Sequence, residues 1–108
     1  MSDLDEGIRL FNEGRFWHAH EAWEQAWKTL EGGPKLHLQG LIQACGSFHL
    51  ISVGRADAAS RMAESALAKL RASAGDMEVP GLEAVLVVAA AGGNEVLGQA
   101  ALLKARRN

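Results

Sequence analysis

At 108 residues the chain has the length of one domain, and a composition of 48% hydrophobic and 22% charged residues can build a core without disulfides or metals. The formal net charge of −2, with Lys104, Arg106 and Arg107 as the main basic cluster, excludes the clustered basic surface of a nucleic-acid groove. One cysteine, Cys45, excludes an internal disulfide, and the acidic start MSDLDEG has no apolar signal-peptide segment, so a cytoplasmic location is expected.

The hydrophobic spacing predicts five helices. The first runs from about Asp3 to Glu13, with Leu4, Ile8 and Phe11 on one stripe, Asp3 and Glu6 resembling a capping box, and Gly14 as the stop. The second runs from Arg15 or Phe16 to about Leu30, stopped by the GGP of Gly32 to Pro34. The third is the uncharged run Leu36 to Val53. Its length invites a membrane span, but His37, Gln39, Gln43, Ser47, His49 and Ser52 would be costly in lipid. A central helix inside a bundle is expected instead, and no membrane association. Its small residues Gly40, Ala44 and Ser47 would let a neighbouring helix come close.

The fourth helix covers about Ala56 to Ala72, with Ala59, Met62, Ala63, Ala66, Leu67 and Leu70 buried. Residues 73–81 read as a loop. A fifth helix is expected from about Leu82 to Lys104, weakened near Gly92 and Gly93. No segment alternates convincingly like a strand. The expected fold is a single all-α domain over residues 1–108, an antiparallel bundle of about five helices built from two helical hairpins.

A faint repeat at an offset of 40 supports the two hairpins. Gly14, Arg15, Ala19, Glu24, Ala26 and Leu30 recur as Gly54, Arg55, Ala59, Glu64, Ala66 and Leu70. Trp17, His20, Glu21 and Trp23 break the repeat, so the hairpin alone does not demand them.

Those residues belong to WHAHEAWEQAW, residues 17–27, which holds all three tryptophans. At 100° per residue, Trp23 and Trp27 share the core face with Phe16, Ala19, Ala26 and Leu30, while His18, Glu21 and Lys28 point outward. His20 and Glu24 are one turn apart and form an expected pair. The buried amides and imidazole of the third helix need partners, which makes a cluster of His20, Glu24, Gln39, Gln43 and His49 the candidate site, with Trp17, Trp23 and Trp27 as candidate pocket walls.

Three readings compete for this cluster. It is a hydrogen-bond network that fixes helix register, a pocket for a small molecule or peptide, or a metal or hydrolytic site. His20, Glu24 and His49 could supply three ligands. HEAWE is not HExxH, however, and the third helix carries no carboxylate, so no metal is expected. Cys45 and His49 are four apart, but a lone cysteine on an apolar stripe reads as a small hydrophobe. The glycines form no phosphate-cradling loop, and no cofactor is expected.

FNEGRFWHAHEAWEQAW followed by LHLQGLIQACGSFHLISVGR resembles the domain of unknown function 309 family. The first motif of that family falls on Phe11, Asn12, Gly14, Phe16, Ala19, His20, Glu21, Glu24 and Trp27. The second falls on Gly40, Leu41, Ile42 and Gln43, with His49 and Gly54 after it. The resemblance covers about residues 4–72 and implies a small all-helical bundle with no established activity. Trp23 replaces a smaller aliphatic residue of the pattern, and Arg55 replaces an asparagine.

The leading expectation is a non-enzymatic binding or interaction domain for an unknown small molecule or protein. The alternative is a small hydrolase, with or without metal, using His20, Glu24 and His49. LEAVLVVAAAGGNEVLGQAALL has two charges in 22 residues, which raises the expectation of a homodimer through the C-terminal helix.

Overall fold

The computed structural model describes residues 2–93 and 95–108. Four long helices come first: α1 Asp3–Asn12, α2 Phe16–Trp27, α3 Gly32–Ser52 and α4 Ala56–Arg71. A two-residue strand β1, Met77–Glu78, precedes α5, Leu82–Ala90, and α6, Val96–Ala100, and the short strand β2, Arg106–Arg107, closes the order. The domain is all-α apart from that strand pair.

The chain turns between α1 and α2, and again between α3 and α4, by the same device. Gly14 and Gly54 have φ of 77° and 81°, a left-handed conformation that is cheap only for glycine. In the first turn Arg15 N–H donates to Leu10 C=O and Gly14 N–H to Phe11 C=O; in the second Arg55 N–H donates to Leu50 C=O and Gly54 N–H to Ile51 C=O. Both are Schellman caps, which satisfy the last carbonyls of the preceding helix. The equivalent residues are 40 apart, so the sequence repeat is matched in backbone geometry. The two hairpins then pack through α2 and α3.

α3 is the central helix. Leu38, Leu41, Ala44, Cys45 and Phe48 are buried in the core with Leu10, Phe11, Ala19 and Trp23 from the first hairpin and Ala63, Ala66 and Leu67 from α4. The small-residue stripe meets α4 as expected. A Cβ on Gly40 would lie 2.9 Å from Leu70 Cδ2, and buried Ser47 Oγ donates to Ala59 C=O at 2.8 Å. Among the described residues no helix is long and apolar enough to cross a membrane.

Four local expectations are corrected. The N-cap of α1 is Ser2, not Asp3: Ser2 Oγ accepts from Asp5 N–H at 3.2 Å, so Asp3 is already in the first turn. Gly32 to Pro34 do not merely stop α2; they form the first turn of α3, where proline's missing N–H costs nothing. The fifth helix is not continuous to Lys104. Gly92, at φ 80°, and Gly93 donate back to Ala89 and Val88 in a third Schellman cap, ending α5 at Ala90. Asn94, inside the expected helix, lies outside the described residues. The loop 73–81 and the tail 101–108 also contain the antiparallel pair β1–β2, with Met77 opposite Arg107 and Glu78 opposite Arg106.

The tail is tied to the N-terminal helix. Asn12 Nδ2 donates to Ala105 C=O at 3.0 Å while Ala105 N–H donates to Asn12 Oδ1 at 2.7 Å, so the side chain pairs with the backbone as a strand would. Arg107 Nε donates to Asp5 Oδ1 at 2.9 Å and its Nη2 to Ser2 Oγ at 3.3 Å. Leu82, Val85, Leu86 and Ala89 of α5 and Val96 and Ala100 of α6 are buried within the chain itself.

Candidate functional site

The face of α2 that carries His20, Glu24, Trp27 and Lys28 looks across a cleft at Gln39, Ile42 and Gln43 of α3, with Met62 of α4 completing the lining. The cleft has a volume of about 450 Å³, within the range of small-molecule sites. The i, i+4, i+7, i+8 spacing on α2 and the i, i+3, i+4 spacing on α3 place these side chains on facing stripes. Gly46 has no Cβ where one would meet Met62 Sδ at 2.5 Å, so α3 leaves room for that thioether.

Within the cleft, His20 Nε2 lies 3.1 Å from Glu24 Oε1. The His20 side chain is 18% exposed and that of Glu24 49% exposed. His20 is therefore half-buried, and Glu24 stands at the rim. A contact at such an exposed rim contributes little to stability.

Polar atoms without partners concentrate here. Among the described residues, four buried side-chain nitrogen or oxygen atoms have no hydrogen-bond partner in the protein: His20 Nδ1, Trp27 Nε1, Gln43 Oε1 and His37 Nδ1. Three of the four belong to residues lining this cleft. Each such group left unsatisfied costs about 1–3 kcal/mol. The fourth is elsewhere, on a ring whose Nε2 faces Met77 C=O at 3.1 Å and so joins α3 to β1. Lys35 Nζ sits 4.1 Å from the centre of the Trp27 ring and covers one of its faces.

The sequence-predicted residues divide between three places. His20, Glu24, Gln39, Gln43 and Trp27 come together in the cleft. His49 and Trp17 line a second cavity of about 560 Å³ with Phe48, Ser52, Leu97 and Ala101. The Trp17 indole links the two, stacking on His20 at 4.8 Å between centroids and touching His49 at 4.7 Å. Trp23 is no wall at all. It is fully buried, stacked on Phe11, and its Nε1–H donates to Leu4 C=O at 3.1 Å. Spacing alone missed Lys28, which reads as a solvated charge, and placed Met62 in the α4 stripe without its role in the cleft.

Two chemistries weighed on the sequence lose their geometry. Among the described residues no group of three or more histidine, cysteine, aspartate or glutamate side chains is placed to hold a metal ion, because His49 sits apart from the His20–Glu24 pair. Cys45 is completely buried, and burial pushes its thiol pKa far above the usual cysteine range, so no thiolate is available as a nucleophile.

A two-hairpin helical domain with a half-polar cleft between its second and third helices is the class that this fold and site define. Residues 4–62 match the family described as Domain of unknown function (DUF309), and since this is more than half of the chain, the protein belongs to that family. Every residue lining the cleft lies inside the matched segment. No curated protein and no solved structure matches the chain.

Proposed function

We propose that the protein is a small-molecule-binding domain whose ligand sits in the cleft between α2 and α3. The observation that carries this reading is the concentration of His20 Nδ1, Trp27 Nε1 and Gln43 Oε1, all buried and unpaired, around one cavity. A network serving only the fold would satisfy its members, since a half-satisfied polar network is worse than an apolar core. A binding site keeps polar groups unpaired for a ligand at a cost in stability.

The two readings predict opposite signs for one substitution. Gln43→Leu removes the unpaired oxygen and keeps most of the side-chain volume. If the cleft is a ligand site, the variant is more stable than the parent by about 1–2 kcal/mol in urea unfolding. A loss of similar size would show that the amide is satisfied in solution and serves the fold, and would end this proposal.

A hydrolytic reading keeps one favourable feature, since an imidazole and a carboxylate stand side by side in the cleft, with His20 Nε2 3.1 Å from Glu24 Oε1. The cleft lining has no serine, threonine or cysteine, so the nucleophile would have to be water. A dimer through the C-terminal segments would rest on Val87 and Leu102, the large apolar side chains there that stay exposed. Both readings have less support than ligand binding.

A further inference from the structure

We propose that the second cavity, between the start of α2, the end of α3 and α6, binds a small aryl carboxylate, an aromatic ring that carries one carboxylate on a short arm. The cavity stands apart from the cleft, with which it shares no lining residue. Its volume of about 560 Å³ is that of a small-molecule site. Much of its wall is made of rings. Phe16 and Phe48 meet edge to face with centroids 5.1 Å apart, and the Trp17 indole lies 4.7 Å from the His49 imidazole. A guest ring placed among these gains ring-to-ring contact that an alkyl chain of the same area does not. Apolar surface left open also gathers here. Among the described residues the exposed large apolar side chains are Trp17, Val53, Val87 and Leu102. Trp17 lines the cavity while 45% exposed, and Val53 and Leu102 directly follow the lining residues Ser52 and Ala101. Scattered single apolar residues are ordinary on a surface, whereas a group around a concavity marks a place that something covers.

Charge selects the head group. Arg15 is the one lining residue with a permanent charge, and among the described residues no carboxylate lines the cavity. Glu13 is the acidic neighbour. Its Oε1 is 3.9 Å from Arg15 Nη1, beyond hydrogen-bond reach, while its Oε2 accepts from Arg9 Nη1 at 2.7 Å. The Arg15 guanidinium, 49% exposed, therefore keeps its fork of donors for an incoming carboxylate, which it can meet with two parallel N–H bonds. The cleft differs on this point, because Glu24 and Lys28 both line it and their opposite charges select neither sign. A cation entering the second cavity would meet Arg15 and no lining carboxylate, and a neutral ring would leave the guanidinium unused.

The test titrates the full chain with phenylacetate, its neutral amide phenylacetamide, and octanoate. Binding is read from the Trp17 indole N–H resonance, assigned with Trp17→Phe. Phenylacetate is expected to shift that resonance saturably and to bind more tightly than either other probe. Arg15→Gln should weaken it about tenfold, the loss of a hydrogen bond to a charged group. Ala101→Glu, which adds a carboxylate to the lining, should abolish binding. Arg15 and Ala101 are both exposed, so both variants should fold, and thermal unfolding checks that they do. Gln43→Leu, in the cleft, should leave the affinity for phenylacetate unchanged. The assignment is overturned if phenylacetate gives no saturable shift, if the amide or octanoate binds as tightly, or if Gln43→Leu weakens binding as much as Arg15→Gln. It is overturned equally if sedimentation finds a dimer that Ala101→Glu disperses, because the cavity is then a contact between copies.

Discussion

Among the described glycines, Gly7 has the least room for a side chain, because the Trp23 indole fills the space where its Cβ would stand. A Cβ on Gly7 would lie 2.1 Å from Trp23 Nε1, and the indole cannot retreat because it is fully buried and bonded to Leu4 C=O. Two effects oppose each other in Gly7→Ala. Alanine gains about 1 kcal/mol of helix propensity over glycine, and overpacking a close-packed core costs about 1–3 kcal/mol. The clash is with a rigid ring, so overpacking should win and the variant should lose about 1–2 kcal/mol in urea unfolding. A more stable Gly7→Ala would show that α1 can shift off the indole. The helical phase placed Trp23 and Trp27 on one face, and could not separate them. What separates them is Gly7, which opens a slot for Trp23 beneath α1, whereas Trp27 lies at the end of α2 under Lys35. His20, Glu24, Gln39 and Gln43 were legible as a group because their spacing puts them on facing stripes. His49 was misplaced into that group, since two further turns of α3 carry it to the far side of the Trp17 ring contact.

The helices were legible where apolar spacing and a terminating glycine agree, as at Gly14 and Gly54. They were misread where glycine has a second use. Gly32 and Gly33 open α3, and Gly92 and Gly93 close α5 although the apolar composition continues beyond them. The turns allow a test in which steric crowding plays no part. Nothing lies within 4 Å of a Cβ built on Gly54 or on Gly98. Gly54 has φ of 81°, however, whereas Gly98 sits in α6. Gly54→Ala should therefore cost about 1–2 kcal/mol from backbone strain alone, and Gly98→Ala should gain about 0.5–1 kcal/mol. Equal effects on the thermal midpoint would mean that the α3–α4 turn relaxes without loss.

At the scale of the whole molecule the least legible part is the closure by the tail. Asn12 and Ala105 are 93 residues apart, and Asp5 and Arg107 are 102 apart. Pairing of single polar residues at such separations leaves no periodic trace in a sequence. The Arg107 guanidinium, with help from the Ser2 hydroxyl, holds the Asp5 carboxyl below its ordinary pKa of 3.8. The folded state then prefers the ionised carboxylate. Its contribution is complete above the ordinary carboxylate pKa and is lost as pH falls through the depressed value of the folded state. Asp5→Asn should be less stable than the parent at pH 7, and the difference should shrink toward zero in unfolding curves taken progressively below pH 3.8. A difference that stays constant with pH would show that the contact is not ionic.

The contact of Ser2 with Arg107 also fixes where the chain can be extended. Ser2 and Arg107 lie at one corner of the molecule, so segments continuing from these two residues start close together on the surface. A tether attached through both ends spans almost nothing. Force applied to it would act on the contacts that hold the tail to α1 and β1, among them the Asp5–Arg107 ion pair and the Asn12 clamp.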